Sequence, residues 1–148
     1  MSSKVKFLVT EECRRLVRWL RLMGYDAALS PTRPLSELYR RAYNESRTVV
    51  TRNREVGASC LFRVIQLIST DRDEQIRQIM QALGLAVDES KLFSRCDQCN
   101  VLLQVVRKTD VRGRVPPYVY ATQEAFHACP SCERIYWAAT HCERACEV

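Results

Sequence analysis

Four cysteines have the residue type and spacing of a metal cage. Cys96 and Cys99 form one CxxC pair and Cys129 and Cys132 another, with 29 residues between the pairs. Each CxxC can close a tight turn whose two sulfurs converge on one point. Two such turns held side by side make a tetrahedral four-sulfur site, which suits Zn²⁺ through thiolate bonding without redox activity. Iron in the same cage and a redox dithiol are the alternatives. A closed four-thiolate site keeps no open coordination position, so the expected role is structural. Of the other cysteines, Cys13 and Cys60 lie among apolar neighbours and read as core. Cys142 and Cys146, with His141 adjacent, read either as unpaired thiols near the end of the chain or as part of a second metal site.

A second set of residues suits an anionic polymer. Arg14, Arg15, Arg18 and Arg21 crowd one segment, and Arg40, Arg41, Arg47, Arg52 and Arg54 follow. The planar guanidinium fork matches phosphate oxygens. The first 63 residues hold 13 Lys and Arg against 6 Asp and Glu, so they carry more than the whole chain's net charge of +6. That excess permits a nucleic-acid surface, and a solvated basic face is the plainer explanation for any single arginine. Tyr118, Tyr120, Tyr136 and Trp137 near Arg112, Arg114 and Arg134 add an aromatic and basic combination suited to single-stranded nucleic acid.

These residues need elements to position them. Val5–Val9 is short, apolar and β-branched, as a buried strand is. From Glu11 to Met23 the apolar residues Cys13, Leu16, Val17, Leu20 and Met23 recur at helical steps, and Gly24 follows as a C-cap. Tyr25–Leu29, Arg47–Thr51 and Val64–Ile68 read as further strands. Leu35–Glu45 reads as a helix and Asn53–Cys60 as a short one. A fourth helix starts near Thr70, with Asp73 three residues on, and stops at Gly84. Strands alternating with helices imply a parallel sheet flanked by helices, an α/β fold with its site at the carboxyl ends of the strands. Asp88–Arg95 reads as a connector. Beyond it Val101–Val106, Val119–Tyr120 and Arg134–Trp137 read as strands of a region too small to stand without a metal staple. The expected division is an α/β domain over 1–90 and a small zinc-ribbon β subdomain over 91–148.

With 148 residues, 47% hydrophobic and 27% charged, the chain has the composition of a globular protein rather than a disordered or fibrous one. No apolar run is long enough to span a bilayer, and the start of the chain lacks the apolar run of a signal peptide. The expected location is cytoplasmic, without membrane partners.

The stretches FLVTEECRRLVRWLRLMGYD, RTVVTRNREV, SRCDQCN, GRVPPYVYATQEAF and CPSCERIYW, with His141, resemble the Mut-seven C-terminal ribonuclease-domain family over roughly residues 5–144. The resemblance implies a PIN-like nuclease fold followed by a zinc ribbon. It also implies metal-dependent phosphodiester cleavage, with carboxylates at strand ends holding Mg²⁺ or Mn²⁺. Against that pattern, Thr10 stands where the family has an Asp after the first strand. Asn53 stands where it has the Asp of a T-R-D motif. Both keep an oxygen and lose the charge. Glu37 is the best surviving match among the family's other acids. Asp26 is also kept and reads as structural. Glu11 and Glu12 lie near Thr10 and could substitute, although helix capping explains them equally well. Arg18 and Trp19 belong to the family's own motif, where packing is as good a role as ligand contact.

The expectation is an RNA-binding protein with a structural zinc ribbon and weakened or lost nuclease activity. Its nucleic-acid contacts would come from Arg14, Arg18, Arg21, Arg52 and Arg54. The alternatives are an active endoribonuclease using Glu37 with Glu11 or Glu12, and a zinc-stabilised adaptor for protein partners.

Overall fold

The computed structural model describes residues 5–137. His141, Cys142 and Cys146 lie outside that range. Four strands form one parallel sheet, β1 (Lys6–Thr10), β2 (Asp26–Ser30), β3 (Thr48–Thr51) and β4 (Val64–Gln66), in the order β2-β1-β3-β4. All three pairings are parallel. The register sets Thr10 beside Ser30 and Thr51 beside Gln66. The carboxyl ends of neighbouring strands are thus level, and their terminal side chains are gathered at one end of the sheet.

Both faces of the sheet are covered. Phe7, Val9, Val50 and Ile65 point to one side, against Leu16 and Leu20 of α1 (Arg14–Leu22) and Ile76 and Ile79 of α3 (Arg72–Leu83). Leu8 and Val49 point to the other side, against Leu38 and Ala42 of α2 (Leu35–Asn44) and Val56. The alternation along β1 is the period of two that a strand buried on both faces requires. Two positions differ from the sequence reading by one residue. Thr10 is part of β1, and the Glu11–Cys13 segment is a 3-10 turn ahead of α1. The side chain of Asp71, not Thr70, caps α3, accepting from the Glu74 N–H at 3.1 Å.

Gly24 closes α1 in a conformation only glycine adopts easily, with φ of +94°. A Cβ there would lie 2.5 Å from the Lys91 carbonyl oxygen. The connector is also tied to α1 by the Phe93 N–H, which donates to the Leu22 carbonyl at 2.8 Å.

The expected helix over Asn53–Cys60 does not form. The segment is a series of turns in which the Glu55 N–H donates to the Asn53 side chain at 3.0 Å, and only Val56 is buried. One apolar anchor cannot supply a helical face. Cys60 is exposed there, against its reading as core, whereas Cys13 is buried as expected.

Beyond the connector, β5 (Gln104–Val106), β6 (Phe126–Ala128) and β7 (Ile135–Tyr136) make a small antiparallel sheet in the order β5-β6-β7. Of the expected strand over Val101–Val106, only the second half joins that sheet, and Leu102 forms an isolated bridge with Arg95. Val119–Tyr120 is not a strand. It lies in α4 (Pro117–Thr122), where Pro117 supplies a helix-ready first residue after Pro116. Val111, Val119 and Phe126 form the core of this part. Among the described residues, no helix is long and apolar enough to cross a membrane.

Candidate functional site

The four cysteine sulfurs converge. One sulfur each from Cys96, Cys99, Cys129 and Cys132 lies within 4.8 Å of the others. The Cys96 and Cys132 sulfurs are 3.8 Å apart. A tetrahedron with metal–sulfur bonds of about 2.3 Å has edges of about 3.8 Å. The local backbone fits as well. The N–H of Cys99 donates to the Cys96 sulfur at 3.4 Å, and those of Ser131 and Cys132 donate to the Cys129 sulfur at the same distance. These N–H groups stabilise thiolates, and they exist because each CxxC turns back over its first sulfur. The donor set therefore fits a metal such as zinc, which would supply folding energy to a region with a three-residue core cluster. Among the described residues this is the one group of three or more His, Cys, Asp or Glu placed to hold a metal.

A polar chain links the cage to the parallel sheet. The Tyr136 hydroxyl lies 3.2 Å from the Cys96 sulfur and donates to the Asp97 carboxylate at 2.7 Å. Asp97 is buried, and its other oxygen accepts from Arg18 at 2.8 Å. Burial pushes the Asp97 carboxyl up, but Tyr136 and Arg18 outweigh it and hold the group ionised. Arg21 donates to the carbonyls of Ala27, Asp97 and Gln98. Asn100, at a φ of +64°, accepts from the Ala27 N–H at 3.1 Å and donates to Asp26 at 2.6 Å. Asp26 also pairs with Arg47 at 2.8 Å, in keeping with its structural reading. The first cysteine turn is thus seated on α1 and β2.

The strand-end site is organised by Glu12. One oxygen of its carboxylate accepts from the Thr10 hydroxyl at 2.6 Å and the Thr51 hydroxyl at 2.8 Å. The same oxygen accepts from the backbone N–H of Arg52 at 3.0 Å and of Asn53 at 3.1 Å. The other oxygen accepts from the Thr32 hydroxyl at 3.0 Å. The Thr10 and Thr51 oxygens are 2.8 Å apart and fully buried, whereas Glu12 is at the surface. Burial pushes the Glu12 carboxyl up. Hydrogen bonds from Thr10, Glu12's own backbone, Thr51 and Arg52 outweigh that and lower it to about 2. The arrangement is that of donors around an anion.

The structure places the other sequence-selected residues as follows. Thr10 and Asn53 meet through Glu12. Glu37 is half-exposed on α2, where its carboxylate pairs with Arg40. Arg14 pairs with Glu11 on the surface. Arg18 and Arg21 are engaged in holding the first cysteine turn. Arg52 and Arg54 are exposed and, among the described residues, have no carboxylate partner. They border a groove of about 260 Å³ with Gln66, Leu67 and Ile68, at the ends of β3 and β4. Tyr136 is buried, while Tyr118 is exposed.

Thr32 and Asp97 were not singled out by sequence reasoning. The signal that could have pointed to Asp97 is a charged residue inside a cage turn that must pack, which calls for a basic partner elsewhere.

No curated protein and no solved structure matches the chain. The family model described as the Mut7-C RNAse domain matches residues 5–148. That match agrees with the parallel sheet and the four-cysteine cage, and the chain belongs to the Mut7-C RNAse domain family.

Proposed function

We propose that this ribonuclease-family protein binds RNA and has weakened or lost metal-dependent cleavage. The observation that carries the reading is the set of donors on Glu12. The carboxylate nearest Thr10 and Asn53 already accepts from three hydroxyls and two backbone N–H groups. A hard divalent cation needs several oxygen acceptors with their lone pairs free. Here it would face N–H and O–H dipoles directed the wrong way. This donor set does not fit Mg²⁺ or Mn²⁺, and Glu37 is turned to Arg40. The zinc cage supports the fold, with residues 1–90 and 91–148 as its two parts. RNA would lie across the groove bordered by Arg52 and Arg54.

The deciding experiment compares RNA cleavage by the native chain and by Thr10→Asp/Asn53→Asp, with Mg²⁺ and with Mn²⁺. No cleavage by the native chain and gained cleavage by the double variant are expected. Robust native cleavage that is lost in Glu37→Ala or Glu12→Gln would overturn the reading. RNA binding is measured separately against salt. Arg52→Ala/Arg54→Ala is expected to weaken it and to flatten the log–log salt slope by about 0.7 for each phosphate no longer neutralised.

A further inference from the structure

In a fold that positions strand-end groups for catalysis, the donors of this chain face inward on an acid of its own. Five donors from three segments meet there. Thr10 ends β1, Thr32 follows β2, and Thr51, Arg52 and Asn53 end and follow β3. None of the five hydrogen bonds to Glu12 requires the protein to accept a proton or coordinate a cation. Thr10 and Thr51 have no exposure to water; the Thr10 hydroxyl can also donate to the Thr51 oxygen at 2.8 Å or the Val50 carbonyl at 3.5 Å, while the Thr51 hydroxyl donates to Glu12 at 2.8 Å. Two cations without a carboxylate partner among the described residues, Arg52 and Arg54, stand beside the same strand end. Glu12 reaches this site from a three-residue 3-10 turn and is itself at the surface. Its side chain can therefore leave by rotation without unpacking the core.

We propose that the strand-end site is an oxyanion site, that Glu12 is its resident plug, and that a phosphate group is the external ligand competing for the same donors. A phosphate offers two oxygens at nearly the spacing of a carboxylate, with more negative charge to draw Arg52 and Arg54. Where the family resemblance implied carboxylates around a cation, this chain has hydroxyl and N–H donors around an anion. The phosphate can be inorganic, an RNA terminus or an internal phosphodiester. Only that last choice rests on the RNA-binding reading, and the readouts below keep the two apart.

The test uses the full-length zinc-loaded chain and its Glu12→Ala variant. Thermal unfolding is followed in sodium phosphate and in sodium chloride of equal ionic strength. The variant is expected to gain a saturable, phosphate-specific rise in Tm, about 4 to 5 °C at tenfold above its dissociation constant. The native chain, with Glu12 in place, should show no phosphate-specific rise under the same conditions. Adding Thr10→Val to the variant should weaken phosphate about tenfold by removing one donor. Equal behaviour in phosphate and chloride, or a phosphate effect indifferent to Thr10→Val, would overturn the proposal. If Glu12→Ala folds only with phosphate present, that result supports it. If it folds in neither salt, Glu12→Gln takes its place; its neutral oxygen holds the donors less well than the carboxylate, so phosphate should bind it more tightly than it binds the native chain, and affinity no greater than the native chain's overturns the proposal. The source is then read by competing phosphate off with a short RNA carrying or lacking a terminal phosphate. Equal competition identifies the internal diester, competition by the phosphorylated strand alone identifies the terminus, and competition by neither leaves inorganic phosphate as the ligand and counts against the RNA-binding reading.

Discussion

Glu12 keeps its charge at a pH where a carboxyl in water has lost it. Its folded pKa, about 2, lies below the ordinary value of 4.5, because donated hydrogen bonds outweigh the opposing effect of burial. A group depressed in this way contributes stability that is fully present above about 4.5 and is lost as pH falls toward 2. Denaturation midpoints should therefore fall for the native chain between pH 5 and about 2, and less steeply for Glu12→Gln across the same window. Parallel slopes for the two proteins would show that the network is not coupled to folding. The sequence pointed to Thr10 and Asn53 by resemblance and set Glu12 beside capping as an equal explanation. What it could not show was the adjacency of β1 and β3. That adjacency brings residues about forty positions apart onto one oxygen. The arginines were similarly ambiguous. Arg18 and Arg54 are the same residue type in a basic segment, and only the buried Asp97 across the fold separates a structural cation from one that has no carboxylate partner among the described residues.

The elements followed the hydrophobic period wherever it was long. β1, α1, α2 and α3 were legible because each repeats an apolar position at least twice on one face, and β3 because Val49 and Val50 are adjacent β-branched residues, one for each face. Short elements were legible only in part: β4, β5 and β7 fall within expected strands, but two segments do not follow the reading. Phe126–Ala128 has a single buried apolar residue and no period to read, while Val119–Tyr120 has strand-forming residues inside a helix started by Pro117. The glycine at the end of α1 was legible as a cap but not as a contact. Gly24→Ala puts a side chain at a φ of +94° and a Cβ 2.5 Å from a backbone oxygen of the connector. We expect urea denaturation to show a loss of at least about 2 kcal/mol, more than the left-handed penalty alone, because Lys91 must also move. A neutral result would mean that the connector yields freely.

For the whole molecule, the cage and the parallel sheet share their contacts. The turn that carries Cys96 and Cys99 also carries Asp97, Gln98 and Asn100, all bonded to residues of α1 or β2. Withdrawing zinc should thus loosen more than the ribbon. Hydrogen exchange after chelation is expected to speed up at residues 94–104 and also at the Ala27 N–H, which lies in the other part of the fold. Faster exchange confined to residues 91–137 would show that the two parts are independent. The CxxC spacing announced the four-cysteine cage, but its seat on α1 and β2 was invisible because each cross-contact joins positions more than seventy residues apart.

Among the described residues β2 is an outermost strand of the parallel sheet, and one side of its backbone has no neighbouring strand. On that side the Ala27 N–H is taken by Asn100 and its carbonyl by Arg21, while the Leu29 carbonyl is taken by Arg41. Side chains thus stand in for the missing strand and leave little for a second molecule to pair with. Two of those side chains, Asn100 and Arg21, are held in place by the first cysteine turn. A metal held by the four cysteines would then also keep the sheet from growing, and a zinc-starved population would lose molecules to strand-to-strand self-association before it lost them to unfolding.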